Sequence, residues 1–304
     1  MKEYLLEVSA EQSGARLDIF LTDFFNSQKL GYSRTFIKEL ITQGKVISQG
    51  QSILKSHVKV KTGQGFKVIV EDKKPHVLGP EDIPLKVVYE DDDLAVIDKA
   101  AGIVVHPAPG NYEHTMVNAL LHRFKQLSDI NPVRPGIVHR LDKETSGLLV
   151  IAKNNFSHHI LAAQFAAHTI KRRYIAIVKG RVKFDEDVIE LPIGRHPIKR
   201  KNMAVNFNES AKFAKTHYRT IKRTDEYSVV ELEPFTGRTH QLRVHLAFLG
   251  HPILGDAKYG KNNEFARLAL HAQYLGFEHP RTKEYIEFSS AIPQELKALM
   301  KNKT

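Results

Sequence analysis

The feature that most constrains this chain is a break about a quarter of the way along it. The run Glu71-Asp72-Lys73-Lys74-Pro75-His76-Val77-Leu78-Gly79-Pro80-Glu81-Asp82-Ile83-Pro84 holds three prolines and a glycine, many charges and little apolar periodicity. Proline removes backbone donors and fixes φ, so neither a helix nor a central strand is expected to run through it. A chain of 304 residues cut there must build two cores, one small and one large. The expected division is a small domain over 1–75, a linker over 76–84 and a larger domain over 85–304.

The small part reads as an αβ unit. Over Ala15–Phe25, Leu17, Phe20, Leu21, Phe24 and Phe25 fall on one helical face. Ser33 is placed to cap a second helix, Arg34–Gln43, which buries Phe36, Ile37, Leu40 and Ile41 and stops at Gly44. Arg34, Lys38 and Lys45 lie on or beside that helix, away from its apolar face. Val46 and Ile47 start a strand. Alternation at Val58, Val60, Phe66, Val68 and Val70, around Gly63-Gln64-Gly65, predicts a hairpin.

In the larger part, short strands dominate. Val87–Tyr89, Leu94–Ile97, Gly147–Ala152, Tyr174–Val178 and Val229–Leu232 have strand length. Helices are expected at Met116–Phe124, His158–Ala167 and His240–Leu249. Strands outnumber helices and do not alternate with them regularly. The expected class is therefore α+β with a mostly antiparallel mixed sheet, not a doubly wound fold.

Composition narrows the function. The chain has no cysteine, which excludes disulfides, thiolate metal sites and a cysteine nucleophile, and fits a reducing, cytoplasmic location. No apolar run is long enough to span a membrane, and the N-terminus lacks the apolar core of a signal peptide. No Walker loop, Gly-x-Gly-x-x-Gly or His-Glu-x-x-His pattern is present, so neither a nucleotide cofactor nor a metal is expected. The net charge is +11. By segment it is +4 over 1–80, −3 over 81–160, +10 over 161–223 and zero over 224–304. Two basic regions suggest a polyanion partner, the alternative being a solvated basic face.

Three clusters could carry chemistry. In Gly136–Val150, a polar knot of His139, Arg140, Asp142, Lys143, Glu144, Thr145 and Ser146 sits between apolar runs. Cations on either side of Asp142 favour its ionised form, and a poised carboxylate can act as base or nucleophile. The plainer alternative is a loop Asp capping the turn Thr145-Ser146-Gly147. In Phe235–Leu246, Thr239 could cap a helix on which Gln241, Arg243 and His245 face differently from Leu242 and Leu246. Arg238 and Arg243 are natural clamps for phosphate or carboxylate, or else solvated cations on an amphipathic helix. In Lys171-Arg172-Arg173-Tyr174, cations flank an aromatic, a pattern suited to phosphate contact and base stacking, or to a basic strand edge.

Together, Gly136–Lys153 (GIVHRLDKETSGLLVIAK), Thr236–Leu246 (TGRTHQLRVHL), Gly250–Asp256 (GHPILGD) and Arg267–Ala272 (RLALHA) resemble the RluA/RluD family of RNA pseudouridine synthases, over roughly residues 85–295. Ile193-Gly194-Arg195-His196-Pro197 and Met203-Ala204-Val205 look more like the RluD branch. Residues 15–70 resemble a small RNA-binding domain first named in a small-subunit ribosomal protein, through Arg16-Leu17-Asp18, Ser33-Arg34 and Gly44-x-Val46. Two departures touch loop shape: Lys99-Ala100-Ala101-Gly102 where members often read Lys-Pro-Ala-Gly, and His279–Lys283 without the usual Thr-Gly pair.

The resemblance implies a cofactor-free isomerase acting on structured RNA, most naturally large-subunit ribosomal RNA; a monomer is the expected state. It implies Asp142 as catalytic aspartate, Tyr174 stacking on a flipped uracil, and Arg243 paired with Asp142. Arg140 would fill the space the extruded nucleotide leaves, and Arg34, Lys38, Arg172 and Arg238 would be further RNA contacts. Two rival readings stay open at this point. One is a non-catalytic RNA-binding or ribosome-assembly protein; the other is a glycosidase, for which Asp142 and Glu144 are the only near carboxylate pair in the loop.

Overall fold

The computed structural model describes residues 2–28, 30, 32–70, 78–107, 111–260 and 265–301. The chain divides into two compact units, Met1–Val77 and Leu78–Thr304. Residues 71–77 of the break lie outside the described residues. Leu78–Pro84, read above as linker, goes with the second unit: Asn118 Nδ2 donates to the Gly79 carbonyl at 2.8 Å, and Glu81 N donates to the Asn118 carbonyl at 3.0 Å.

The first unit contains β1 (Lys2–Glu7), α1 (Leu17–Ser27), α2 (Arg34–Thr42), β2 (Val46–Ser48), β3 (Gln51–Ser52) and β4 (Gly65–Val70). Its sheet runs β1-β4-β2-β3, and Leu17, Phe20, Leu21, Phe25, Ile37, Leu40 and Ile41 pack with Val46, Phe66 and Val68 into one core. Ser33 caps α2, its hydroxyl accepting Phe36 N at 3.2 Å. The expected hairpin does not form. Val58 and Val60 instead exchange backbone bonds with the entry to α1: Leu17 N reaches Val58 O at 2.8 Å and Val60 N reaches Ala15 O at 2.9 Å. Their alternation suits a paired segment, but tertiary packing supplies a different partner.

The second unit adds β5 (Lys86–Glu90), β6 (Leu94–Lys99), α3 (Met116–Arg123), β7 (Ser146–Ala152), α4 (Asn155–Ala166), β8 (Lys171–Lys179), β9 (Glu186–Glu190), β10 (Ile193–Arg195), β11 (Met203–Val205), β12 (Lys215–Arg223), β13 (Tyr227–Pro234), α5 (Gln241–Phe248), β14 (Leu270–Glu278), β15 (Tyr285–Ser289) and α6 (Gln294–Lys301). Nine strands form one sheet ordered β5-β6-β7-β14-β8-β13-β12-β9, with β15 beside β14. Every pairing in it is antiparallel except β7 with β14. The class is α+β with a mostly antiparallel sheet, as the strand pattern implied.

All seven residues of β7 are buried, which explains its unbroken apolar run. Leu149 and Ile151 enter one core, while Leu148, Val150 and Ala152 enter the other, as strand alternation requires. Gly147 is needed where β7 meets β14. Its φ is +112°, and a Cβ there would lie 2.2 Å from the Ala272 carbonyl oxygen. That contact anchors one end of the 136–145 loop at the middle of the sheet.

Candidate active site

The loop before β7 is held from below by a buried ammonium. Lys99, at the end of β6, is only 2% exposed and donates to the carbonyls of Ala100, Ile103 and Lys143 at 2.8, 3.0 and 3.0 Å. Burial pushes its pKa down to about 8, against the opposing charges of Glu144 and Asp142. Leu141 points into the core, 4% exposed, and Asp142 beside it keeps 19% of its side chain exposed. Thr145 N closes the turn on the Asp142 carbonyl at 3.1 Å.

His139, although part of the same knot, is a packing group. Its Nε2 accepts Val150 N at 3.0 Å, and its ring stacks on Phe165 with centroids 4.4 Å apart. Burial first, and then Arg172, push its pKa down to about 3. The unfolded chain therefore takes up this proton first as pH falls below the ordinary value near 6.5, and the contribution to stability is lost in that window. At pH 5 the loss is about 2 kcal/mol. We expect His139→Gln, whose side-chain oxygen can take over the acceptor role, to flatten the stability–pH curve between 7 and 5 by that amount. Thermal melts across the range measure it, and parallel curves for variant and wild type would remove His139 as a cause.

The opposite wall comes from α5. Its N-cap is His240, not Thr239, and it holds the left-handed conformation at φ 56°, ψ 22°. Gln241 explains the shift. Its Oε1 accepts the Thr236 hydroxyl and Arg238 N at 2.7 and 3.0 Å, while its Nε2 donates to Lys215 O and Thr216 Oγ1 at 3.0 and 2.9 Å. These bonds fold the Thr236–Arg238 turn over the helix start, and no side chain caps α5. The alternative of solvated cations on an amphipathic helix is overturned, since every residue from Gln241 to Leu246 is buried. The polar ones are satisfied inside the protein, as for His245, bonded to Thr216 Oγ1 and Leu191 O, both at 3.0 Å.

Arg243 is the centre of this wall. It is 9% exposed and bidentate on Asp256, with Nε to Oδ2 and Nη2 to Oδ1 both at 2.8 Å. Its remaining terminal nitrogen, Nη1, donates to Asp142 Oδ2 at 3.0 Å. No hydrogen bond among the described residues reaches Asp142 Oδ1. Asp256 is 1% exposed; burial would raise its pKa, but the Arg243 bonds and charge outweigh that and hold it below the usual carboxylate range. Asp256 Oδ1 also accepts Lys258 N and Tyr259 N, at 2.9 and 3.1 Å. The Tyr259 ring then lies 5.1 Å from the guanidinium centre of Arg243.

Asp142, Arg243, Tyr174, Arg140, Arg172 and Arg238 line one pocket of about 110 Å³. Tyr174 is 8% exposed, and burial raises its phenol pKa, so its hydroxyl stays protonated. Arg172 donates to the Pro234 carbonyl at 3.0 Å and lies over the Phe165 ring at 5.6 Å. Arg238 donates to the Phe213 carbonyl at 2.9 Å. Arg140 is exposed, with Nη1 3.4 Å from His106 Nε2. Arg34 and Lys38 belong to the first unit. There the fully buried Asp18 carboxylate holds Arg34 at 2.9 Å and Lys38 at 3.6 Å, with Arg16 at 3.0 Å.

Sequence reasoning missed Lys99, His240, Asp256 and Tyr259. Lys99 had a visible signal, a lone cation ending an apolar strand; the others had none beyond lying in or near motif runs. Among the described residues, one cluster has metal-like spacing, Asp91, Asp93 and His279. Its oxygens are already engaged. Arg281 is bidentate on Asp93 at 2.6 and 2.7 Å, and Asp91 accepts the Tyr89 hydroxyl at 2.6 Å and is paired with His279 Nε2 at 2.8 Å.

Residues 93–248 match the RNA pseudouridylate synthase family. A Bacillus subtilis protein described as the uncharacterized RNA pseudouridine synthase YlyB is 40% identical, over 99% of this chain and 98% of its own. The ribosomal large subunit pseudouridine synthase D of Zymomonas mobilis is 43% identical, over 97% and 95% respectively. Among solved structures, human RNA pseudouridylate synthase domain containing 1 superposes with a TM-score of 0.58 at 28% identity, covering 69% of this chain and 84% of that one.

Proposed function

The chain belongs to the RluA/RluD family of RNA pseudouridine synthases, enzymes that isomerise uridine in RNA, and from that premise we propose that its substrate is large-subunit ribosomal RNA and that Asp142 carries the reaction. The observation behind the second part is the Asp142 carboxylate on the pocket wall, with Oδ2 held by Arg243 and Oδ1 open. The substrate reading draws on relatives named ribosomal large subunit pseudouridine synthase D from Zymomonas mobilis and Vibrio cholerae. A chain without cysteine acting on ribosomal RNA fits the cytoplasm.

The reaction breaks the bond from ribose C1′ to uracil N1, turns the base and re-bonds it through C5, which gives up its proton while N1 takes one up. No atom is gained or lost, so the chemistry requires no cofactor. Asp142 Oδ1 would serve as nucleophile at the sugar or as base. A paired uracil cannot be reached, so the nucleotide must be extruded, at a cost of a few kcal/mol. Arg140, exposed at the pocket mouth, would fill the space left behind. Arg172 and Arg238 would meet backbone phosphates there, and Arg34 and Lys38 would do so on the first unit.

Tyr174 would stack on the extruded base. Tyr174→Phe keeps the ring, and we expect it to bind RNA nearly as the wild type does. Tyr174→Ala should lose about 1–3 kcal/mol of binding. Filter binding with an unmodified transcript separates the two, and equal binding by Ala and wild type would remove Tyr174 from the substrate contact. The function itself is tested by mapping pseudouridines in ribosomal RNA from cells lacking the protein. Specific sites should revert to uridine; an unchanged map would overturn the substrate reading.

A further inference from the structure

His240 lines the pocket with its Nε2 3.9 Å from Asp142 Oδ2. That distance is too long for a hydrogen bond. No acceptor among the described residues lies within bonding reach of Nε2. The other ring nitrogen has a partner. Nδ1 lies 2.7 Å from the Tyr259 hydroxyl, and that hydroxyl accepts the Met203 backbone N–H at 3.1 Å. A backbone amide can only donate, so the phenol oxygen is the acceptor there and its own proton is free to go to Nδ1. Burial raises the Tyr259 pKa, which keeps that proton in place. A neutral imidazole that accepts at Nδ1 carries its hydrogen on Nε2.

The ring is neutral. Burial pushes its pKa down to about 4; Asp142 and Asp256 oppose the shift, while Arg243 and Lys258 add to it. The left-handed backbone of His240 is uncommon for a residue with a side chain, and such conformations collect at working sites. Here it accompanies a ring that lines the pocket, with Nε2 3.9 Å from Asp142 Oδ2.

We propose that His240 is a catalytic hydrogen-bond donor, presenting Nε2–H to a carbonyl oxygen of the extruded uracil beside Asp142, with its tautomer set by the chain from Met203 N through Tyr259. This rests on the reading that the pocket isomerises uridine. When the C1′–N1 bond breaks, the electron pair stays on the ring and spreads to its two carbonyl oxygens. A fixed N–H donor stabilises that charge without giving up its proton, and it is needed again until the C5–C1′ bond forms. Such a donor counts more in the transition state than in the bound ground state. A neutral imidazole suits the task, because an imidazolium would surrender its proton and trap the free base.

The test uses the full chain and an unmodified ribosomal RNA transcript, with single-turnover rates and RNA affinity measured separately. His240→Asn removes the ring and tolerates the left-handed backbone. It should slow turnover roughly 100-fold, with affinity within about threefold. Tyr259→Phe keeps the ring beneath Arg243 but frees the tautomer, and should show a smaller loss, again in rate. Nitrogen-15 spectra of the wild type at pH 7 should show His240 protonated at Nε2 and bare at Nδ1, and Tyr259→Phe should show a mixture. A purely structural His240 would share that tautomer change, so the loss of rate at near-normal affinity is what separates the two roles. The proposal is overturned by a His240→Asn rate equal to wild type, by a loss confined to affinity, or by a proton on Nδ1. If the wild type makes pseudouridine while His240→Asn keeps pace, only this proposal fails. If the wild type makes none, the function reading fails.

Discussion

Asp142→Asn is expected to abolish pseudouridine formation, with a fall of roughly 10⁴-fold or more, while RNA binding is retained. Asn has nearly the same shape, so the loop held by Lys99 and Gly147 keeps its path. Its amide can still meet the Arg243 guanidinium through the carbonyl oxygen. What it lacks is an anion, and neither a nucleophile at C1′ nor a base can be made from an amide at neutral pH. Affinity should change little, since the proposed RNA contacts are spread over Arg140, Arg172, Arg238 and the first unit. Pseudouridine content after long incubation, alongside the dissociation constant for the same transcript, gives both values. Conversion by the Asn variant above trace level would show that Asp142 is not the reacting group.

Arg243→Ala should damage both stability and rate. The substitution strips Asp256, which is 1% exposed, of its guanidinium, and removes the one hydrogen-bond donor to Asp142 Oδ2 among the described residues. Breaking a buried ion pair from one side costs about 3–5 kcal/mol, because the remaining charge stays unpaired. In the wild type, Arg243 holds the Asp256 pKa below its unfolded value. That contribution is complete above the unfolded pKa near 4 and is lost only as pH falls through the lower folded value. Without Arg243, only the Lys258 and Tyr259 amides still oppose burial, so the Asp256 pKa should rise. The cost then grows as pH rises from about 4 to 7, so the gap between variant and wild type should be widest at neutral pH and shrink on acidification. Denaturant titrations at pH 5 and 7 check this. Arg243→Lys keeps a cation but cannot bond Asp256 twice and Asp142 once in one plane. It should recover part of the stability and little of the rate. A gap that does not depend on pH would mean that Asp256 is not held by Arg243 in solution.

Asp256 also explains why these two variants differ in reach. Asp142 touches the site through one oxygen. Asp256, through Arg243, Lys258 N and Tyr259 N, ties α5 to the 256–259 turn and so to the hydroxyl that fixes His240. Loss of Arg243 therefore disturbs the donor as well as the carboxylate.

What the sequence determined by itself is local. The Ser33 cap, the apolar stripes of α1 and α2, the buried run of β7 and the α+β class follow from periodicity, capping and the strand-to-helix count, which need only neighbours along the chain. The motif resemblance added Asp142, Tyr174 and Arg243, and those side chains share one pocket. Wherever a partner had to be chosen from far away, local reading failed. The alternation of Val58 and Val60 suits a paired segment, but they pair with the start of α1 instead of with β4. The start of α5 passed from Thr239 to His240 because Gln241 bonds a turn and a strand distant in sequence. Asp256, Tyr259 and His240 became a connected network around Arg243 only once α5, the 256–259 turn and β11 were brought together. Periodicity records which face of an element is apolar. It holds no information on which buried donor meets which buried acceptor, and that choice is made by the packing of elements from separate parts of the chain.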